Sequence, residues 1–267
     1  GVILGYTGLV DLLAFGYFPF RVSLDMERMT EEDKEHFTEA MKKYPQIVQI
    51  ILIRENWDLA LFFVVKDLQE FREVWDSILF EYRPFMKRHS VALYAPIHNF
   101  PKTFLHQKQR QERILGYRKH REEVDEQFLA LYAQNVRQTM VELSGKVKKN
   151  PKTVIKMIAS LEKNGIIVGY QPHIDPLAFG YKSYLVSFLL EEGKQSQELF
   201  QYCKSLPEVY QINRIIGGDD LELLFLVENR QKLLKLVDQI KEKFKKSIVD
   251  DSSFEFTSVY SRGIIPV

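Results

Sequence analysis

The sequence predicts an α+β fold in which two ferredoxin-like (βαββαβ) domains flank a winged helix-turn-helix domain. Three observations support this prediction. The opening segment of the chain returns 164 residues later with 11 of 22 aligned residues identical. Both copies alternate strand patterns with amphipathic helical patterns in one order, and a basic stretch with three short helical patterns lies between them. We therefore expect domains at 1–105, 122–170 and 171–267, with a basic linker at 106–121.

The internal repeat defines the two outer domains. Gly1–Tyr6 matches Gly165–Tyr170, and Leu13–Tyr17 matches Leu177–Tyr181. After a two-residue length change, the copies stay aligned at an offset of 162, so that Asp220 corresponds to Asp58. Identity at fixed offsets over this length indicates a duplication.

Each copy contains an extended run, a helix, a hairpin, a second helix and a last strand. The expected strands are 17–24, 47–53, 59–65 and 90–95 in the first copy and 181–190, 209–216, 221–227 and 254–260 in the second. Such a sheet carries helices on one face, and its other face needs cover. The sequence leaves open whether the copies pair within one chain as a pseudo-dimer or between chains as a homo-oligomer.

Three short helices are predicted between the copies. The first, 124–133, has the apolar face of a packing helix. Thr139 is the expected N-cap of the second helix, and Asn150 followed by Pro151 begins the third, which ends at Asn164-Gly165. A strand at 166–170 would complete the winged form. The alternative interpretation is a helical spacer that carries lysines for solubility.

Composition and charge narrow the classes of function. The net charge is only +1, but residues 102–163 hold 14 Lys and Arg against 7 Asp and Glu. Concentrated positive charge attracts phosphate backbones, so this segment is the expected place of nucleic-acid contact; the alternative on charge alone is a solvated basic linker. The helix-turn-helix pattern makes double-stranded DNA the expected partner. The single cysteine, Cys203, and the absence of a long apolar segment favour a cytoplasmic protein without a membrane span.

The central segment resembles the Lrp/AsnC (feast/famine) family of transcription regulators. The matching residues are Val124-Asp125, Glu142-Leu143, Asn150-Pro151-x-Thr153-Val154 and Leu161-Glu162-x-x-Gly165-Ile166-Ile167-x-Gly169-Tyr170. The second copy resembles the effector-binding RAM domain of that family through Asp175, Gly180, Pro207-Glu208-Val209, Gly217 and Asp220. The first copy resembles another RAM domain, but Glu55 stands where the second copy has Gly217. The resemblance implies a tandem regulator that responds to an amino acid or other small effector, with a further winged helix upstream of Gly1.

The predicted DNA contacts lie on the third helix and just before it. Lys152, Thr153 and Lys156 are assigned to the major groove, and Ser160 shares their exposed face. Phosphate contacts are assigned to Lys146, Lys148, Lys149 and Lys163. The linker cations form either further phosphate contacts or, as we favour, a solvated helix face: Lys108, Arg110, Arg113, Arg118, Lys119 and Arg121.

The turn Gly217-Gly218-Asp219-Asp220 is the predicted effector site. Glycine N–H groups can closely approach a carboxylate, and an aspartate can accept hydrogen bonds from an ammonium group. The alternative, which the residues alone favour, is a hairpin turn with glycines at positive φ and an aspartate that caps the backbone.

No enzyme is predicted, and no catalytic residue, cofactor or metal ligand is assigned. The turn superficially resembles the Gly-Gly-Asp-Glu-Phe hairpin of diguanylate cyclases, but the strand 181–190 contains no further acidic metal ligand. A haem or other cofactor pocket between paired copies is rejected because the histidines show no ligand spacing: His89, His98, His106, His120 and His173. The alternative to a DNA-binding regulator is a ligand-sensing or assembly module that acts through protein contacts.

Overall fold

The computed structural model describes residues 2–102, 111–116, 123–191, 195–261 and 263–266. Both copies have the predicted βαββαβ order, and one further strand precedes each. The first copy comprises β1 (Ile3–Val10), β2 (Phe18–Met26), α1 (Glu31–Met41), β3 (Ile47–Arg54), β4 (Leu59–Val65), α2 (Leu68–Tyr82) and β5 (Met86–Asn99). The connecting segment contains β6 (Arg113–Leu115), α3 (Glu126–Gln134), α4 (Met140–Val147) and α5 (Pro151–Lys163). The second copy comprises β7 (Ile167–Ile174), β8 (Lys182–Leu190), α6 (Gln195–Ser205), β9 (Val209–Ile216), β10 (Leu221–Val227), α7 (Arg230–Lys243) and β11 (Ile248–Ser261).

Eight strands from the two copies close into one ring. The strand order is β5-β2-β4-β3 in the first copy and β11-β8-β10-β9 in the second. The copies join where β3 pairs with β11 and where β5 pairs with β9. The two copies therefore pair with each other within one chain, as a pseudo-dimer.

The strand β5 is long enough to pair with three other strands. Its first part pairs with β2 as far as Leu93, and from Leu93 to Asn99 its other edge pairs with β9. Beyond the last residue that pairs with β2, the same edge of β5 pairs with the short strand β6, where Arg113 lies opposite Asn99. This arrangement places β6 beside β7.

A pseudo-two-fold relation links β1 and β7, the equivalent strands of the two copies. They pair antiparallel about Thr7 opposite Gln171, with Tyr6 opposite Pro172 and Gly8 opposite Tyr170. The predicted winged form is not confirmed, because the strand after α5 pairs with β1 of the other copy. A strand paired in this way depends on a segment that is about 160 residues away in the sequence, which local pattern could not reveal.

Helices cover the outside of the ring, and the ring interior has two unlike halves. The helices α1 and α2 bury Phe37 and Trp75 against the first copy, and α6 and α7 bury Leu199 and Val237 against the second. One half of the interior is apolar and includes Ile51, Ala60, Leu185 and Phe254. The other half holds a buried ion pair between Arg21 and Glu222, with Tyr94 Oη accepting from Arg21 at 3.0 Å.

Within the described ranges, each helix is too short or too polar to cross a bilayer.

Candidate nucleic-acid interface

The three helices α3, α4 and α5 share one hydrophobic core with the start of the first copy. Phe128 and Val154 are buried together with Phe15 and Tyr17. The Tyr17 hydroxyl also donates to Glu126 Oε2 at 2.8 Å. The helical unit is therefore held firmly on the closed ring by both apolar burial and a polar contact.

The helix boundaries follow the predicted caps. The Thr139 hydroxyl accepts from the Glu142 backbone N–H, and the Glu142 carboxylate accepts from the Thr139 N–H, which forms a capping box at the start of α4. The Asn150 side chain accepts from the Lys152 N–H at 2.9 Å, with Pro151 as the first residue of α5. Lys148 links the two helices with φ at 50°, a left-handed conformation that reverses the chain sharply. The predicted N-caps of α4 and α5 are confirmed.

The helix α5 presents one open face to solvent. Val154 and Leu161 point into the core, whereas the predicted contact residues on this helix are exposed: Lys152, Thr153, Lys156, Ser160 and Lys163. Their spacing of three or four residues places them on one side of the helix. Ala159 is also exposed there, and its small side chain allows the helix backbone to approach a groove closely, while the exposed Ile155 adds an apolar side chain. The predicted phosphate contacts Lys146, Lys148 and Lys149 are exposed at the preceding turn.

The charge on this face is not neutralised from within the unit. Among the described residues, Lys148, Lys152, Lys156 and Lys163 make no ion pair. The nearby acids are engaged elsewhere, since Glu142 closes the capping box and hydrogen bonds from Thr139 lower its pKa.

Two further acids of the unit are also engaged. Glu162 accepts from the Tyr170 hydroxyl, and Asp125 caps α3 by accepting from the Phe128 N–H at 3.0 Å. Of the lysines at this face, Lys149 lies 3.8 Å from Asp125 and Lys146 donates to Gln138. The face therefore keeps a local excess of positive charge, which favours the binding of a polyanion such as nucleic acid.

The linker cations are placed only in part. Arg113 belongs to β6 and not to a helix, so the predicted solvated helix face is wrong at this position. The residue is half-buried, and its guanidinium donates to the Tyr170 carbonyl at 3.1 Å. The other five predicted cations lie outside the described residues: Lys108, Arg110, Arg118, Lys119 and Arg121.

The predicted effector turn adopts a hairpin geometry. Gly217 and Gly218 have φ of 90° and 80°, and a Cβ on Gly217 would lie 2.7 Å from the Val91 carbonyl oxygen. The Asp220 carboxylate accepts from the Leu190 N–H at 2.7 Å, and burial raises the pKa of Asp219. These are the features that the hairpin interpretation predicts. In the first copy Glu55 takes the equivalent positive φ of 76°, so the turn geometry persists without glycine. Binding of an amino acid at this turn stays a prediction.

The sequence pattern did not predict a polar cluster that forms around the buried His98. His98 Nδ1 lies 2.8 Å from Glu112 Oε1, and Lys204 pairs with the same carboxylate. Burial lowers the pKa of His98 despite the adjacent carboxylate, which favours the neutral imidazole near neutral pH. The three residues come from β5, the segment before β6, and α6, so linear spacing contains no signal for the cluster.

Comparison with known proteins found similarity among solved structures. No family model and no curated protein match the chain. The solved structure of siroheme decarboxylase NirDL in co-complex with an iron-uroporphyrin III analogue aligns with 100% of this chain and 79% of its own, with a TM-score of 0.67 and 10% identity.

Two regulators align over part of the chain. An AsnC family transcriptional regulator from Agrobacterium tumefaciens aligns with 54% of this chain and 95% of its own, with a TM-score of 0.47 and 20% identity. A transcriptional regulator from Neisseria meningitidis, in complex with L-Met, aligns with the same shares, TM-score and identity. The structural neighbours thus include AsnC-type regulators over part of the chain and siroheme decarboxylase over all of it. At 10% identity, the full-length likeness shows the mixed α+β fold.

The prediction that the chain is not an enzyme is overturned by the full-length comparison. The solved structure of an enzyme, siroheme decarboxylase, aligns over the full length of this chain, so this fold is compatible with catalysis. The sequence argument against an enzyme depended on the linear spacing of histidines. That spacing has no bearing on which side chains the closed ring brings together, as the pair of His98 and Glu112 illustrates.

Proposed function

We propose that this chain is a DNA-binding regulator that reads double-stranded DNA with the exposed face of α5. The observation that carries the proposal is the row of exposed lysines on α5, which have no ion-pair partners among the described residues. A helix of 13 residues that begins at a capped turn and rests on two other helices can project into a major groove. The Lrp/AsnC resemblance of the same residues supports this interpretation.

Side-chain position and chemistry suggest which residues contact bases and which contact phosphates. Lys152, Thr153 and Lys156 occupy the first two turns of α5, the part of a recognition helix that contacts base edges. Lys146, Lys148 and Lys149 lie at the turn before it, where flexible ammonium groups suit phosphate contacts. Ser160 and Lys163 extend the face towards the end of the helix.

The proposal is tested by the salt dependence of DNA binding. The wild-type chain is titrated against a fluorescently labelled duplex of mixed sequence, and anisotropy is followed over a salt series that begins at low ionic strength. Each phosphate contact adds about 0.9 to the slope of log K against log salt. We expect the variant with Lys152→Ala and Lys156→Ala to lose affinity, and its slope to become shallower by up to about 2.

The control removes equal charge from the second copy, outside the helices α3 to α5. Lys245 and Lys246 are exposed just after α7 in the second copy. Lys245→Ala with Lys246→Ala lowers the net charge by the same amount, so general electrostatic attraction falls equally in both variants. Equal DNA affinities and equal salt-dependence slopes for the two double variants would contradict the proposal. Absence of binding by the folded wild-type chain at low salt would do the same, and would favour the sensing or assembly alternative.

Catalysis is a second candidate, favoured by the full-length alignment with siroheme decarboxylase. This candidate rests on likeness of fold, and function depends on the site and not on the fold. The direct measurement is incubation of the purified chain with siroheme, followed by mass spectrometry for loss of carbon dioxide. A heat-denatured sample is the control. Unchanged siroheme in both samples would remove this candidate without affecting the DNA-binding proposal.

A further inference from the structure

A cavity of about 380 Å³ lies between the paired strands β1 and β7 and the region where β5 ends and β6 begins. One wall is the two-stranded sheet of β1 and β7, which contributes Leu9, Tyr170 and Pro172. The opposite wall is the end of β5 with the residues after it and the start of β6, including Phe100, Lys102 and Arg113. The volume falls near the lower end of the roughly 300–1,000 Å³ typical of ligand pockets, so a small molecule fits it best.

Two cations, Lys102 and Arg113, line this cavity. Among the described residues, Lys102 has no ion-pair partner, and its ammonium lies 5.9 Å from the ring centroid of Tyr210. Burial lowers the pKa of Lys102, as expected for an ammonium group that has lost water without gaining a carboxylate. The described lining residues include no Asp or Glu. The nearest acid in sequence, Glu112, is already shared by His98 and Lys204.

Arg113 is fixed against the backbone of β7. Its Nη1 donates to the Tyr170 carbonyl at 3.1 Å, which leaves most of the five guanidinium N–H donors for other partners. A Cβ on Gly169 would lie 2.5 Å from Arg113 Nε, so a side chain at that position would displace the guanidinium. The equivalent glycine of the first copy, Gly5, has open space around it. Gly169 therefore allows Arg113 its place at the cavity wall.

The remaining walls are apolar or neutral. Leu9 and Phe100 are buried, and Pro172 is half-buried. Asn99 and Gln171 add amide groups at the edge. An uncompensated ammonium and guanidinium beside apolar side chains match a ligand with a negative group at one end and an apolar body at the other.

We infer that this cavity binds a small organic carboxylate, whose carboxylate group pairs with Lys102 and Arg113 and whose apolar body contacts Leu9, Phe100 and Pro172. The inference goes beyond DNA binding and does not rest on it. The wall residue Tyr170 also donates its hydroxyl to Glu162 of α5, so a bound ligand would lie one residue away from the proposed reading helix.

The test compares two probes that differ in charge and not in shape. Isothermal titration calorimetry measures the binding of 2-naphthoate and of 2-naphthamide to the full chain, without DNA. We expect 2-naphthoate to bind at least about tenfold more tightly than the amide, because only the acid can pair with the two cations. Equal affinities, or no heat from millimolar 2-naphthoate, would overturn the inference. This comparison needs no variant and is therefore independent of any folding defect.

Two substitutions then locate the site. Lys102→Met keeps a side chain of similar length, Arg113→Gln keeps a shorter polar side chain, and both remove the charge. Each is expected to weaken 2-naphthoate binding about tenfold or more while 2-naphthamide binding is unchanged. Lys245→Met, at an exposed lysine far from the cavity in sequence, is the matched control and should bind like the wild type. Equal 2-naphthoate affinity in the three variants would place the ligand elsewhere and refute the assignment. Because calorimetry is done without DNA, failure of DNA binding and failure of this site are separate results.

Discussion

The single cysteine shows how burial of one group makes stability depend on pH. Cys203 lies in α6 with no exposed surface, packed in the core of the second copy. Burial raises the pKa of its thiol to about 12. In the unfolded chain a cysteine ionises at about 8.5 to 9, so the folded protein holds the proton more tightly. The contribution to stability is therefore complete below pH 9 and is lost as the pH rises towards 12.

We predict that Cys203→Ala flattens the alkaline branch of the stability curve. Between pH 9 and pH 11, the free energy of unfolding of the wild type should fall by up to about 1.4 kcal/mol per pH unit more than that of the variant. Urea unfolding at a series of pH values measures both slopes. Buried tyrosines titrate in both proteins and cancel in the difference. Parallel curves would show that the thiol is not protected in the folded state.

The two short turns after β1 and β7 have equivalent sequences but unequal surroundings. Leu12–Phe15 packs beneath the helical unit, and Phe15 is 9% exposed. The equivalent turn, Pro176–Phe179, carries Phe179 at 42% exposure. The difference arises because the described chain contains one set of the helices α3 to α5, and this set packs on the first copy.

This contrast gives a matched pair of substitutions. Phe15→Ala should lower the free energy of unfolding by about 3–5 kcal/mol, because it removes a buried ring and leaves a cavity. Phe179→Ala should change it by less than about 1 kcal/mol, since much of that ring already faces solvent. Urea denaturation with equal m-values for both variants checks the comparison. Similar losses at the two positions would mean that Phe179 is covered in solution.

The same elements mark the limit of what the sequence could predict. The first residues of helices α4 and α5 were predictable because Thr139, Asn150 and Pro151 act on their immediate neighbours. The repeat likewise predicted the strands, since apolar pattern is local. Pairing of β1 with β7, closure of the ring and the cavity beside Arg113 depend on which distant segments meet. The repeat made Phe15 and Phe179 look alike, and only the position of the helical unit distinguishes them.

At the scale of the whole molecule, the closed ring is symmetric in backbone and asymmetric in chemistry. The repeat aligns Arg21 with Leu185 and Glu222 with Ala60. The strand registers agree, since Arg21 faces Ala92 where Leu185 faces Phe254. One junction of the two copies therefore holds a buried ion pair, and the equivalent junction holds a leucine and an alanine. The two patterns are alternative solutions to filling the same space.

The ion pair determines that a first copy pairs with a second copy and not with another first copy. If two first copies were paired with each other, Arg21 would face Ala60 at both junctions and would lack a carboxylate. If two second copies were paired, Glu222 would face Leu185 in the same way. An isolated buried charge costs several kcal/mol, so both exchanges are strongly disfavoured. The asymmetry therefore favours pairing of the two unlike copies within the chain over exchange between chains.

The apolar junction also suggests the sharpest test of this argument. Arg21→Leu alone leaves Glu222 buried without its cation and with a long hydrogen bond from Asn213 at 3.4 Å, and we expect a loss of about 3–5 kcal/mol in the free energy of unfolding. Arg21→Leu with Glu222→Ala copies the other junction, so the double variant should recover most of that loss. Urea unfolding of the wild type, the two single variants and the double variant gives the coupling energy directly. Losses that simply add would show that the two side chains do not act as a pair. Recovery of stability in the double variant would show that an apolar pair can fill this junction as well as the ion pair does. If the double variant also forms dimers of two chains, the ion pair is what selects the copy that pairs at this junction.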